Sequence, residues 1–145
     1  MTLAELTSCC GSSAWARTMF NRQPFEDMHR EADEVWWSLV PEDWLEAFAA
    51  HPKIGQKSTA KWTSQEQNGM SQAAVETAEE IARLNAEYDG KFGFIFIVCA
   101  TGKSADEMLE LLRARITNSR DEEIRVAAGE QAKITHLRLD KLLAE

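Results

Sequence analysis

Only one stretch of this chain, residues 92–99 (FGFIFIVC), has the aromatic and β-branched composition of a β-strand. One strand has no partner for its hydrogen-bonding edges, so it cannot build a sheet. The sequence therefore predicts an all-α fold, a single-domain helical bundle over residues 1–145. Residues 92–99 are expected to form a buried extended segment, or a short distorted helix, inside it. A buried extended stretch leaves backbone N–H and C=O groups in need of partners. A polar ligand can supply them, which marks Phe94, Ile95, Phe96, Ile97 and Val98 as candidates for binding.

The helical reading rests on well-marked ends. Thr2 with Glu5, Ser104 with Glu107 and Ser119 with Glu122 have the spacing of capping boxes. The last two open helices that run to about Ile116 and Leu143. Residues 12–20 form a short helix after Gly11. Residues 25–39 bring Met28, Ala32, Val35 and Trp36 to one face. Pro41 suits the first turn of the next helix, with Trp44, Leu45 and Phe48 inward. That helix should stop near His51, because Pro52 disfavours helix in the residue before it. Residues 53–63 read as a polar loop, and 64–89 as one long helix or two separated near Gly69. Val75, Ala78, Ile81 or Ala82, and Tyr88 make its apolar stripe.

The formal charge of −8 argues against nucleic acid as a partner, since an acidic chain repels phosphate backbones. No stretch approaches the ~20 apolar residues of a membrane span. The first residues lack a basic region and a long apolar run, and the last three are no peroxisomal address, so a cytoplasmic location is expected. The three cysteines, Cys9, Cys10 and Cys99, suit neither a disulfide framework nor a zinc spacing, and read as buried or partly exposed thiols. No metal is expected.

Histidine is scarce, with three copies. His29 lies among charged residues and reads as solvated. His136 reads as a helix-face residue. His51 closes a helix, precedes Pro52 and opens a polar loop, so its ring is held where the chain turns. The helix dipole can stabilise its charged form. It is either a helix cap or an acid/base group. Glu66 is either the far half of a capping box with Thr63 or a functional carboxylate. Arg138 shares a face with Ile134 and Leu142, so its guanidinium either lies at the core edge or enters a pocket, where it could bind a carboxylate with two parallel hydrogen bonds. Arg113 and Arg115 are rivals for that role.

The ordered motifs Cys10-Gly-Ser-Ser-x-Trp15-Ala, Pro24-Phe, His51-Pro-x-x-Gly55, Trp62-Thr-x-x-Glu66-Gln67, Phe92-Gly-Phe, Arg115-x-x-Asn118 and Arg138-Leu together resemble the 2-oxo-4-hydroxy-4-carboxy-5-ureidoimidazoline (OHCU) decarboxylases. The resemblance runs over nearly the whole chain and rests on the order and spacing of short pieces. It implies an all-helical, cofactor-free, usually dimeric enzyme that converts OHCU to (S)-allantoin. His51 then matches the catalytic histidine and Glu66 its carboxylate partner. Gln67 and Arg138 match substrate-binding positions, and Thr63 keeps a hydroxyl where many members have serine. Pro52 falls beside the catalytic histidine in the substrate-binding set. Residues Phe94 to Val98 match a segment whose backbone faces the ligand, with Ile95 in place of a common proline. Two other readings fit the residues. One is a hydrolase of cyclic ureides that uses the same His/Glu pair to activate water. The other is a helical interaction module whose tryptophans line a partner groove. Trp36 and Trp37 are adjacent and cannot share one stripe, which leaves one for a dimer interface.

Overall fold

The computed structural model describes residues 1–51 and 72–145, with backbone only at 72 and 73. Seven helices and no strand occur among them: α1 (Leu3–Cys9), α2 (Ser13–Arg22), α3 (Met28–Ser38), α4 (Pro41–Ala49), α5 (Gln72–Phe92), α6 (Ala105–Arg115) and α7 (Arg120–Ala144). The helices fall into two compact units. Residues 1–51 and 124–145 form one, and residues 52–123 the other.

Local side-chain hydrogen bonds start these helices. Thr2 and Glu5 form the reciprocal capping box of α1, and Ser104 and Glu107 that of α6. The Ser12 hydroxyl accepts from Trp15 N–H and opens α2, and Asp27 does the same for α3 through Arg30 N–H. Pro41 sits in the first turn of α4, with Glu42 and Asp43 favourably placed at the positive end of the dipole.

In the first unit, each buried indole also satisfies its polar edge. Trp15 Nε1 donates to the Ala32 carbonyl at 3.1 Å, Trp36 Nε1 to Ala128 at 3.0 Å, and Trp44 Nε1 to Trp36 at 3.0 Å. These bonds tie α2 to α3, α3 to α7 and α4 to α3 while the rings fill the core. Trp37, by contrast, is 47% exposed. The tryptophans at 15, 36 and 44 are therefore core residues, not the lining of a partner groove. Met28 is only partly covered on α3, whereas Ala32, Val35 and Trp36 are buried.

In the second unit, α5 packs on α6. Ile81, not Ala82, joins the buried face of α5, together with Leu84 and Tyr88. The expected end of this helix near residue 89 is corrected: α5 continues through Gly90 to Phe92. Gly93 stops it with a φ of +78°, a left-handed conformation that glycine adopts without a Cβ penalty. Its N–H still bonds the Asp89 carbonyl at 2.9 Å. The non-helical segment therefore begins at Gly93, one residue later than expected.

Candidate active site

His51 stands just past the end of α4, where its N–H bonds the Phe48 carbonyl at 3.1 Å. Two contacts fix that helix end. Glu46 accepts from Ser13 N–H at 2.9 Å and from the Ser13 hydroxyl. Gly11 comes so close to Ala50 that a Cβ on Gly11 would lie 2.5 Å from the Ala50 Cβ. Only glycine permits this approach, which seats the residue before His51 against the α1–α2 turn.

The imidazole reaches into the core face of α7. His51 Nε2 lies 2.5 Å from Gln131 Oε1, and Gln131 Nε2 donates to the Thr135 hydroxyl oxygen at 3.1 Å. Gln131 is completely buried. Burial lowers the proton affinity of His51, the nearby positive charge of Arg138 lowers it further, and the Gln131 hydrogen bond works the other way. The balance favours neutral imidazole. The α4 dipole, which can favour a charged ring, does not reverse this downward shift. Cys10, in the same cluster, is pushed up to about 11 by burial, so it stays a thiol and is no nucleophile at neutral pH. All three cysteines are buried thiols.

Arg138 is partly buried on α7, with Nη1 3.4 and 3.5 Å from the carbonyls of Ser8 and Cys9 at the end of α1. A cation is favoured there by the negative end of the helix dipole. His51 and Arg138 are thus brought within electrostatic reach of each other, as the sequence suggested. Pro52, Thr63, Glu66 and Gln67 lie outside the described residues.

The second unit holds Phe94 to Val98, with Ile95 partly covered and the other four buried. Side chains replace a neighbouring strand for at least two carbonyls. Arg115 Nη1 donates to the Ile97 carbonyl at 2.6 Å, and Lys103 Nζ to Cys99 at 2.8 Å. Arg115 also donates from Nε (2.8 Å) and Nη2 (2.5 Å) to Glu123 Oε2, and its guanidinium lies 4.3 Å from the centre of the Phe96 ring. Tyr88 donates to the same carboxylate oxygen, and Asn118 to the other at 3.0 Å. Glu123 is fully buried, and every bond aimed at it is charge-assisted. Arg115 is therefore a structural clamp on the extended segment, and Arg113 pairs with Glu110 on the surface. Arg138 lies beside the histidine cluster of the first unit.

Two residues escaped sequence reasoning, Gln131 and Glu123. The signal for Gln131 was available. It continues the buried stripe of Ile124, Ala127, Ala128 and Leu139, where a polar side chain needs a partner. The readings of His29 as solvated and His136 as a plain helix-face residue are also corrected. Their Nδ1 atoms lie 2.6 Å apart, while His29 Nε2 meets Asp140 and His136 Nε2 meets Asp33, each at 2.8 Å. This four-residue chain links α3 to α7. Among the described residues no group of three or more His, Cys, Asp or Glu side chains is placed to hold a metal, and no helix is long and apolar enough to cross a membrane.

An all-helical protein with a half-buried, neutral histidine beside an arginine has the groups for proton transfer on an anionic small molecule. The chain belongs to the OHCU decarboxylase family, whose sequence model matches residues 2–140. It is 37% identical to the uric acid degradation bifunctional protein TTL of Arabidopsis thaliana over 97% of this chain and 47% of that protein. It is 30% identical to the bifunctional protein PucL of Bacillus subtilis over 100% of this chain and 32% of that one. The chain thus spans half or less of these two curated relatives. A crystal structure of OHCU decarboxylase in the presence of (S)-allantoin superposes with a TM-score of 0.82, at 40% identity, covering 97% of this chain and 98% of that one.

Proposed function

We propose that this protein decarboxylates OHCU to (S)-allantoin in urate breakdown without a cofactor, with His51 as the general acid/base. The observation that carries the reading is the near end-to-end likeness, at 40% identity, to an OHCU decarboxylase solved in the presence of (S)-allantoin. The neutral state of His51 supports it, because only the neutral ring can take a proton.

The substrate's own bonding makes the chemistry possible. The ring carbon that loses CO₂ also carries a hydroxyl, and its neighbour is a C=N carbon bearing the ureido group. When the carbon–carboxylate bond breaks, its electron pair forms a C=C bond to that neighbour. The C=N electrons move onto nitrogen, which gains a proton. The ureido-bearing carbon is then protonated as the hydroxyl loses its proton and becomes a carbonyl. Protonation from one face yields one enantiomer. In this reading His51 takes the hydroxyl proton or delivers the proton to carbon. Arg138 holds the anionic substrate by charge-assisted hydrogen bonds. Glu66 is the carboxylate that works with His51 on the substrate, while Thr63 and Gln67 read the ureide N–H and C=O groups. Pro52 and the Phe94–Val98 backbone complete the pocket. The reading also takes residues 1–145 as one domain, working as a cytoplasmic homodimer on a small-molecule substrate.

The test follows freshly generated OHCU with purified protein, without added metal or cofactor, by circular dichroism of the allantoin formed. Rapid appearance of one enantiomer above the slow racemic background is expected. Racemic product at the background rate would overturn the proposal, and ring opening without CO₂ release would point to the cyclic-ureide hydrolase instead.

A further inference from the structure

We infer that Gln131 is a positioning residue that fixes the tautomer of His51 and makes Nδ1 the nitrogen that exchanges protons with the substrate; this rests on the acid/base role proposed for His51. Gln131 is fully buried, and a buried amide left without partners at either end is costly. Gln131 meets that demand with two side chains, His51 at its oxygen and Thr135 at its nitrogen.

The direction of the chain follows from the amide itself. The Gln131 N–H donates to the Thr135 hydroxyl oxygen. That leaves the Gln131 oxygen facing the ring, and an amide oxygen only accepts. His51 Nε2 must therefore carry the hydrogen. A neutral imidazole has one N–H and one lone pair, so its basic nitrogen is Nδ1.

The choice of an amide also matters for charge. A carboxylate at this position would stabilise imidazolium, whereas glutamine orients the ring while adding no negative charge. With burial and Arg138 opposing the proton, the ring stays in the accepting form. The cluster thus combines a fixed orientation with a low proton affinity, both needed in a resting general base.

Nitrogen-15 NMR of histidine-labelled full-length protein tests the tautomer without reference to activity. Wild-type protein near neutral pH is expected to show His51 as the Nε2–H form, assigned by its loss in His51→Asn. Gln131→Met, close in volume but without the acceptor, should give a mixture of tautomers. It should lower kcat by about 10²-fold with KM nearly unchanged, within the ~10²–10⁴ that a placed acid/base supplies. Gln131→Glu should move the acid limb of the kcat/KM profile to higher pH. An Nδ1–H tautomer in the wild type overturns the inference, as does a Gln131→Met protein with wild-type tautomer and pH profile. If the tautomer stands but OHCU is not turned over, the proposed function fails and the positioning of His51 does not.

Discussion

Among the described residues around His51 the hydrogen-bonded groups are neutral: an amide and a hydroxyl run in sequence, and the charge of Arg138 opposes protonation. Around Glu123 the partners include a full guanidinium, and the carboxylate receives bonds from Arg115, Tyr88 and Asn118. Both clusters are buried or nearly so, yet they do different work. A fully bonded ion pair holds one arrangement, here the extended segment through the Ile97 carbonyl. A neutral chain holds a ring in place and leaves its proton exchangeable. Burying charge secures geometry, and burying neutral polar groups preserves titration.

The comparison is broken or sharpened most strongly at its two centres. His51→Asn should keep the helical circular dichroism signal and lose about 10²–10⁴ in kcat; near-wild-type turnover would remove His51 from the chemistry. Glu123→Ala should instead act on stability, by about 3–5 kcal/mol in urea unfolding, because it leaves Arg115 buried and unpaired. Gln131→Met should cost only about 1–2 kcal/mol in the same assay, since it exposes no uncompensated charge. Equal losses in the two variants would contradict the electrical distinction between the clusters.

Smaller effects come from the supports. Gly11→Ala must push the α1–α2 turn away from Ala50, at a cost of about 1–3 kcal/mol. It should lower activity as well, because Ala50 adjoins His51. Ser12→Ala removes the α2 cap for about 1 kcal/mol and should leave the His51 tautomer unchanged. The smallest effect is a pH slope. His51 binds its proton less tightly when folded, so the unfolded chain takes up more protons just below the ordinary imidazole value. Its contribution to stability is therefore full above that value and is lost as pH falls toward the folded one. Unfolding free energies measured across this window should show a shallower slope in His51→Asn than in the wild type.

Much of the fold was legible in residue order. The capping boxes at Thr2 and Ser104 are present, Pro41 opens α4, and the only strand-like run pairs with no strand among the described residues. Of the candidate site residues, His51 and Arg138 are brought within electrostatic reach of each other. Gln131 was missed because nothing near it in sequence announces a partner, although its place on an apolar stripe was a warning. Arg115 and Arg138 looked alike as binding candidates, and burial separated them: one is sealed in an ion pair, the other borders the histidine cluster.

The sequence by itself determined the helix starts and the all-α class, because caps act over three residues and a lone strand-like run has no edge to join. Gly93 was written there as well, as the residue able to take a positive φ, although which of two nearby glycines ends α5 emerged only in the fold. The tertiary structure alone decided which polar groups meet. His51 and Gln131 lie 80 positions apart, and His29 and His136 lie 107 apart. Such pairings, and the preference of His51 for its neutral form, depend on distances and burial set by packing, which no local pattern of residues encodes.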